Sequence, residues 1–69
     1  MPEAPDTGAV AAELHVIADH VDRLRARVGS LAEPFLGTDR EDLVATIHEA
    51  ERQLSMAARS LQRALKTAR

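Results

Sequence analysis

The sequence predicts an all-α protein, an antiparallel two-helix hairpin expected to assemble into a four-helix bundle. Three observations carry the prediction. Apolar residues recur at Val10, Leu14, Ile17, Val21, Leu24, Val28 and Leu31, alternating steps of four and three, which is the heptad spacing of packed helices. The same spacing returns at Leu43, Ile47, Ala50, Leu54, Ala57, Leu61, Ala64 and Ala68. Between the two runs stands Pro34-Phe35-Leu36-Gly37, a connection short enough to force neighbouring helices antiparallel.

Each element has its own signals. Residues 1–7, punctuated by Pro2 and Pro5, read as a flexible tail, and residues 8–69 as the hairpin. The first helix is expected over about residues 8–33, because Pro34 disfavours helical backbone at the residue before it. The turn occupies 34–38. A second helix over about 39–67 opens on Thr38-Asp39-Arg40-Glu41, which fits a capping box with the Thr38 hydroxyl accepting from the Glu41 amide. Asp39, Glu41 and Asp42 suit the positive end of that helix dipole, and Arg63, Lys66 and Arg69 suit the negative end. A turn centred near residue 36 selects a register in which paired numbers sum to about 71, so that Leu24 meets Ile47, Val21 meets Ala50, Ile17 meets Leu54 and Leu14 meets Ala57. A register near 78 needs a later turn and ranks second. Leu24 and Leu54 are the expected core.

Composition restricts the remedies open to so short a chain. At 69 residues and 7.5 kDa, a domain buries only ~60% of the surface its unfolded chain exposes. No cysteine is present, so neither a disulfide nor a zinc–thiolate site is available. Helix packing and oligomerisation remain. The opening Met1-Pro2-Glu3-Ala4-Pro5-Asp6 is acidic and lacks the basic and apolar regions of a secretory signal, and charges interrupt every stretch that approaches the ~20 apolar residues of a membrane span. A cytoplasmic protein is the expectation. Eight arginines against one lysine, with thirteen alanines, is the usage of GC-rich bacterial coding sequences.

The two flanks of the heptad seam differ. Glu13, His20, Arg27, Thr46, Gln53, Ser60 and Thr67 make one flank polar. The other carries Ala11, Ala18, Arg25, Ala32, Val44, Glu51, Ala58 and Leu65, apolar but for one Arg and one Glu placed to pair at the same level. An apolar stripe of this length marks an interface. Ala11, Ala18, Arg25, Val44, Glu51, Ala58 and Leu65 are therefore the expected partner surface, met by a second hairpin or a related helical chain. The competing reading gives the alanines no role beyond helix propensity.

No constellation for catalysis stands out, and no enzyme, cofactor, small-molecule substrate or metal is expected. His15 with Asp19, or His48 with Glu49 or Glu51, supplies two ligands, short of the three or four that a metal site needs; His15 and His48 occupy outward heptad positions. Ser30, Ser55 and Ser60 have no histidine–acid arrangement around them. Residues 52–69 carry Arg52, Arg59, Arg63, Lys66 and Arg69 with no acid. In an antiparallel hairpin that stretch lies beside Glu3, Asp6, Glu13 and Asp19, a complementarity that selects the pairing. The alternative treats Arg59, Arg63 and Lys66 as a phosphate-facing stripe of a small DNA-associated accessory protein, a reading weakened by the net charge of -2 and the single aromatic residue, Phe35.

One local motif bears on a family. A long amphipathic helix, Phe35-Leu36-Gly37 at the turn and a second long amphipathic helix resemble the small helical hairpins of type VII secretion, whose turn carries Trp-x-Gly. The resemblance spans most of the chain in layout and rests on Phe35, standing where the family has tryptophan, and Gly37. It implies a helical hairpin that pairs with a similar chain and is exported, although the chain has no tyrosine with which to build that family's Tyr-x-x-x-Asp/Glu export signal. The functional expectation is a non-catalytic interaction module that self-associates or pairs with a related helical chain.

Overall fold

The computed structural model describes residues 5–69 as two helices packed against each other and joined by a short turn: α1 over Thr7–Ser30, a 3-10 turn over Glu33–Phe35 and α2 over Glu41–Ala68. No strand occurs among the described residues. Residues 1–4 of the expected tail, Glu3 among them, lie outside those described.

Local chemistry sets each boundary. Asp6 caps α1, its carboxylate accepting from the amides of Gly8 at 2.9 Å and Ala9 at 3.3 Å, two of the donors that a helix start leaves without intrahelical acceptors. The α-helix stops at Ser30, three residues before the expected end. Pro34 is the reason: it has no N–H to give the Ser30 carbonyl, and its ring crowds that carbonyl. The chain tightens to bonds three residues apart, Leu31 to Val28 at 3.1 Å, Ala32 to Gly29 at 3.2 Å and Phe35 to Ala32 at 3.0 Å. Gly37 then takes a positive φ of 76°, a conformation that side chains disfavour.

The expected capping box does not form. Thr38 donates through Oγ1 to the Phe35 carbonyl at 2.6 Å and accepts from the Arg40 amide at 3.2 Å, so its hydroxyl braces the turn instead of capping a helix. Arg40 occupies the cap position of α2 without a side-chain cap bond. Glu41 and Asp42 do occupy the first turn of α2 and Lys66 its last.

The seam between the helices is rotated from the expected one. Ala18 and Ala32 are 2% and 1% exposed, and Ala11 and Leu65 are also buried, whereas Leu24 is 46% exposed and Ile17 38%. Leu14, Val21 and Val28 on α1, and Ile47, Leu54 and Leu61 on α2, are half-buried. The inner face of α1 thus reads 11, 14, 18, 21, 25, 28, 32, and that of α2 reads 44, 47, 51, 54, 58, 61, 65, 68. Leu24 is not core. Alanines at the closest points let the axes approach more nearly than leucines or isoleucines would, which selects this seam over the bulkier one.

The register is corrected as well. Arg25 Nη1 lies 3.5 Å from Glu51 Oε2 across the seam, and their numbers sum to 76. Ala11 with Leu65, Ala18 with Ala58, and Ala32 with Val44 share that sum, and all six are buried or half-buried, as residues level with each other across the seam would be. The expected value near 71 placed the reversal at residue 36; the 3-10 turn carries α1's direction on through Phe35 and moves the reversal to about residue 38.

Candidate functional site

The stripe expected to meet a partner is the interior of the hairpin. Ala11, Ala18 and Leu65 are buried, and Arg25, Val44, Glu51 and Ala58 are half-buried between the two helices. The pairing read from the sequence between Arg25 and Glu51 forms, joining the two helices across the seam at 3.5 Å. This face is therefore occupied, and the surface left open lies elsewhere.

Two faces flank the seam. Helical geometry puts residues 10, 17, 24 and 31 a quarter turn to one side of α1's inner line and residues 50, 57 and 64 to the same side of α2's. Val10, Ile17, Leu24 and Leu31 are 47%, 38%, 46% and 62% exposed, and Ala50, Ala57 and Ala64 are exposed. Between these outer columns run the half-buried Leu14, Val21, Val28, Ile47, Leu54 and Leu61. The result is an apolar face four side chains wide and bare of charge. It is made of the heptad positions taken for the intramolecular seam. Its rims are Glu13, His20 and Arg27 along α1, and Thr46, Gln53, Ser60 and Thr67 along α2, all exposed.

The opposite face is a polar groove. His15, Asp19, Asp22, Arg59, Arg63 and Lys66 line it, with Ala18 and Ala58 at its floor. The three residues of the proposed phosphate stripe are thus together on one face, but Asp19 and Asp22 stand beside them. Asp19 pairs with Arg23 four residues on, and Asp22 with Arg25 at 3.0 Å. Arg63 Nη2 donates to Ser60 Oγ at 2.8 Å. Mixed sign in the groove weakens its attraction for a polyanion.

The remaining polar chemistry is local. Glu49 pairs with Arg52 and accepts from Gln53 at 3.3 Å; the Arg52 hydrogen bond and charge, followed by the Gln53 bond, hold its carboxyl below the ordinary carboxylate range. The complementarity expected between residues 52–69 and the acidic start of α1 forms no ion pair among the described residues, where only Arg25–Glu51 bridges the helices. His15 is exposed, whereas His48 is half-buried, against the outward expectation, and borders a shallow depression with Phe35, Leu36, Gly37 and Val44. No three of His, Asp and Glu converge as metal ligands among the described residues. Among the described residues no helix is long and apolar enough to cross a membrane.

Comparison of the chain with protein-family models, with curated proteins and with solved structures returned no match.

Proposed function

We propose that the chain is a non-catalytic helical interaction module, docking another helical surface on the apolar face of Val10, Ile17, Leu24, Leu31, Ala50, Ala57 and Ala64 and thereby completing a four-helix bundle. One observation carries the reading. No leucine, isoleucine or valine except Leu65 is fully buried in the hairpin, and Val10, Ile17, Leu24 and Leu31 join the half-buried Leu14, Val21, Val28, Ile47, Leu54 and Leu61 on a continuous face with one side still in water, while Val16, Phe35, Leu36 and Met56 are exposed elsewhere. An apolar patch of this size, at the upper end of what a monomer exposes, commonly marks an interaction site. Helices that close a bundle have an apolar stripe on two sides, one for each neighbour, and both helices here have that pattern.

The resemblance to type VII secretion hairpins adds a candidate setting, in which the module pairs with a similar chain and is exported; Phe35 and Gly37 alone support it. The DNA-associated reading has no comparable support, because the aspartates of the polar groove dilute its charge.

A photo-crosslinking residue placed at position 24, on the apolar face, tests the proposal in cells that make the protein. Crosslinks to a polypeptide from position 24, and far fewer from position 63 in the polar groove, are the expected result. Efficient crosslinks from 63 with none from 24 would discard it.

A further inference from the structure

We infer that the occupant of the apolar face is a second copy of this chain, packed about a twofold axis that crosses α1 at His20 and α2 near Ser55–Met56. Each α1 then lies antiparallel on the other α1, each α2 on the other α2, and the two turns point to opposite ends. The inference rests on the interaction-module reading and names its partner.

The hairpin register fixes the centre. His20 and Met56 are level by the sum of 76 that Arg25 and Glu51 define, and they sit midway along both Val10–Leu31 and Leu43–Ala68. About that centre, α2 is matched to itself in size. Leu43 faces Ala68 of the second copy, Ile47 faces Ala64, Ala50 faces Leu61, and Leu54 faces Ala57, so each layer holds one large and one small side chain. Alternation of this kind fills an antiparallel helix pair without voids or overpacking. Valines, isoleucine and leucines fill the α1 pair throughout.

Charge selects this orientation over the one with both turns at the same end. The rim of α1 reads Glu13, His20, Arg27, and rotation about His20 brings Glu13 against Arg27 of the second copy and Arg27 against Glu13. Neither side chain has an ion-pair partner among the described residues. The rim of α2, which meets itself, is neutral at Thr46, Gln53, Ser60 and Thr67. With the turns together, α1 would lie on the other α2; Glu13 and Arg27 would then face those neutral residues. The half of the hairpin nearest the turn, residues 21–55, holds five cations and seven anions, whereas residues 5–20 and 56–69 hold four cations and three anions. Opposite turns set these halves against each other, while turns together would stack the acidic halves.

Area is sufficient. A face of about 21 residues' rise and two helix widths measures ~32 by ~20 Å, or ~600 Å² on each copy. Two such faces bury at least ~1,200 Å² in total, at the threshold of the range for specific interfaces.

Sedimentation equilibrium at low salt with rim variants tests the inference. The wild-type chain is expected at twice 7.5 kDa. Glu13→Arg and Arg27→Glu, each creating two like-charge contacts per dimer, should each raise the dissociation constant roughly tenfold, and the double swap should return it to near the wild-type value. With no native cysteine to interfere, His20→Cys should be joined efficiently by a short bis-maleimide and Thr67→Cys should not. A dimer indifferent to the rim variants and not crosslinked through residue 20 overturns the arrangement. A fully helical monomer at micromolar concentration overturns the second copy itself; crosslinking of residue 24 to a different protein would then leave the interaction-module reading standing.

Discussion

The Arg25 guanidinium reaches across the seam to the Glu51 carboxylate at 3.5 Å, while also holding Asp22 on its own helix at 3.0 Å. The Glu51 carboxyl in turn lies over Gly29: a methyl added there would run into Glu51 Oε2. One carboxylate therefore needs both a cation and a bare backbone opposite it. A double-mutant cycle of Arg25→Ala and Glu51→Ala is expected to show a coupling of ~0.2–1 kcal/mol, the range for partly exposed pairs. Gly29→Ala gains up to ~1 kcal/mol in helix propensity but displaces the end of Glu51. It should therefore stabilise more in the Glu51→Ala background than in the wild type, as read by urea denaturation; equal effects in both would show that the carboxyl is not held there.

Alanine at position 18 is tested against alanine at position 57. Ala18→Leu puts a large side chain where the helices are closest and should cost ~1–3 kcal/mol through overpacking. Ala57 is exposed on the apolar face, so Ala57→Leu should leave the hairpin's own helicity unchanged and alter only its association. Circular dichroism over a concentration series separates the two effects.

The reversal depends on Gly37 for backbone reasons alone. Nothing lies within 4 Å of a Cβ built there, while φ is +76°, so Gly37→Ala is expected to cost ~1–2 kcal/mol from the left-handed conformation without any steric clash. Thr38→Ala removes the two turn bonds of its hydroxyl and should cost about 1 kcal/mol. Thermal unfolding of the two variants measures both.

Titration of Glu49 reports on its partner. Its folded-state pKa is depressed, so the stabilisation that it contributes is present at neutral pH, above the unfolded value, and is lost as pH falls through the depressed folded value. Arg52→Gln removes the largest cause of the shift. The Glu49 carboxyl resonance should then titrate at higher pH in NMR spectra, and an unmoved midpoint would refute the pairing.

Much of the fold was legible because helical periodicity and a short turn leave few alternatives. The choice of seam was not. The columns 10, 14, 17, 21 and 11, 14, 18, 21 both advance by threes and fours, and they share Leu14 and Val21; periodicity is equally satisfied by either. Hydrophobicity favours Ile17 and Leu24, whereas close packing favours Ala18 and Arg25 with its partner Glu51. The level agreement of Arg25 with Glu51 was visible in the sequence and points to a register of 76, but the turn residues were given more weight in placing the reversal. The α-helix runs only to Ser30 because proline's missing donor is felt four residues upstream, and Thr38 braces the turn because α2 starts two residues later than its acidic run suggested. The stripe expected to meet a partner consequently lies in the seam, and the apolar face left open is built from the positions assigned to the seam.

The common register has a kinetic consequence. Its four interior levels close chain segments of very different length: Ala32 and Val44 are 12 residues apart, Arg25 and Glu51 26, Ala18 and Ala58 40, and Ala11 and Leu65 54. Closing a loop from the unfolded chain costs more as it lengthens, by ~0.6 kcal/mol per doubling, so the outermost level costs ~1.3 kcal/mol more to close directly than the innermost. Formation is expected to begin beside the turn and to advance like a zip toward the termini, each level shortening the path to the next. Amide exchange should show the reverse order on opening, with protection lost first around Ala11 and Leu65 and last around Ala32 and Val44.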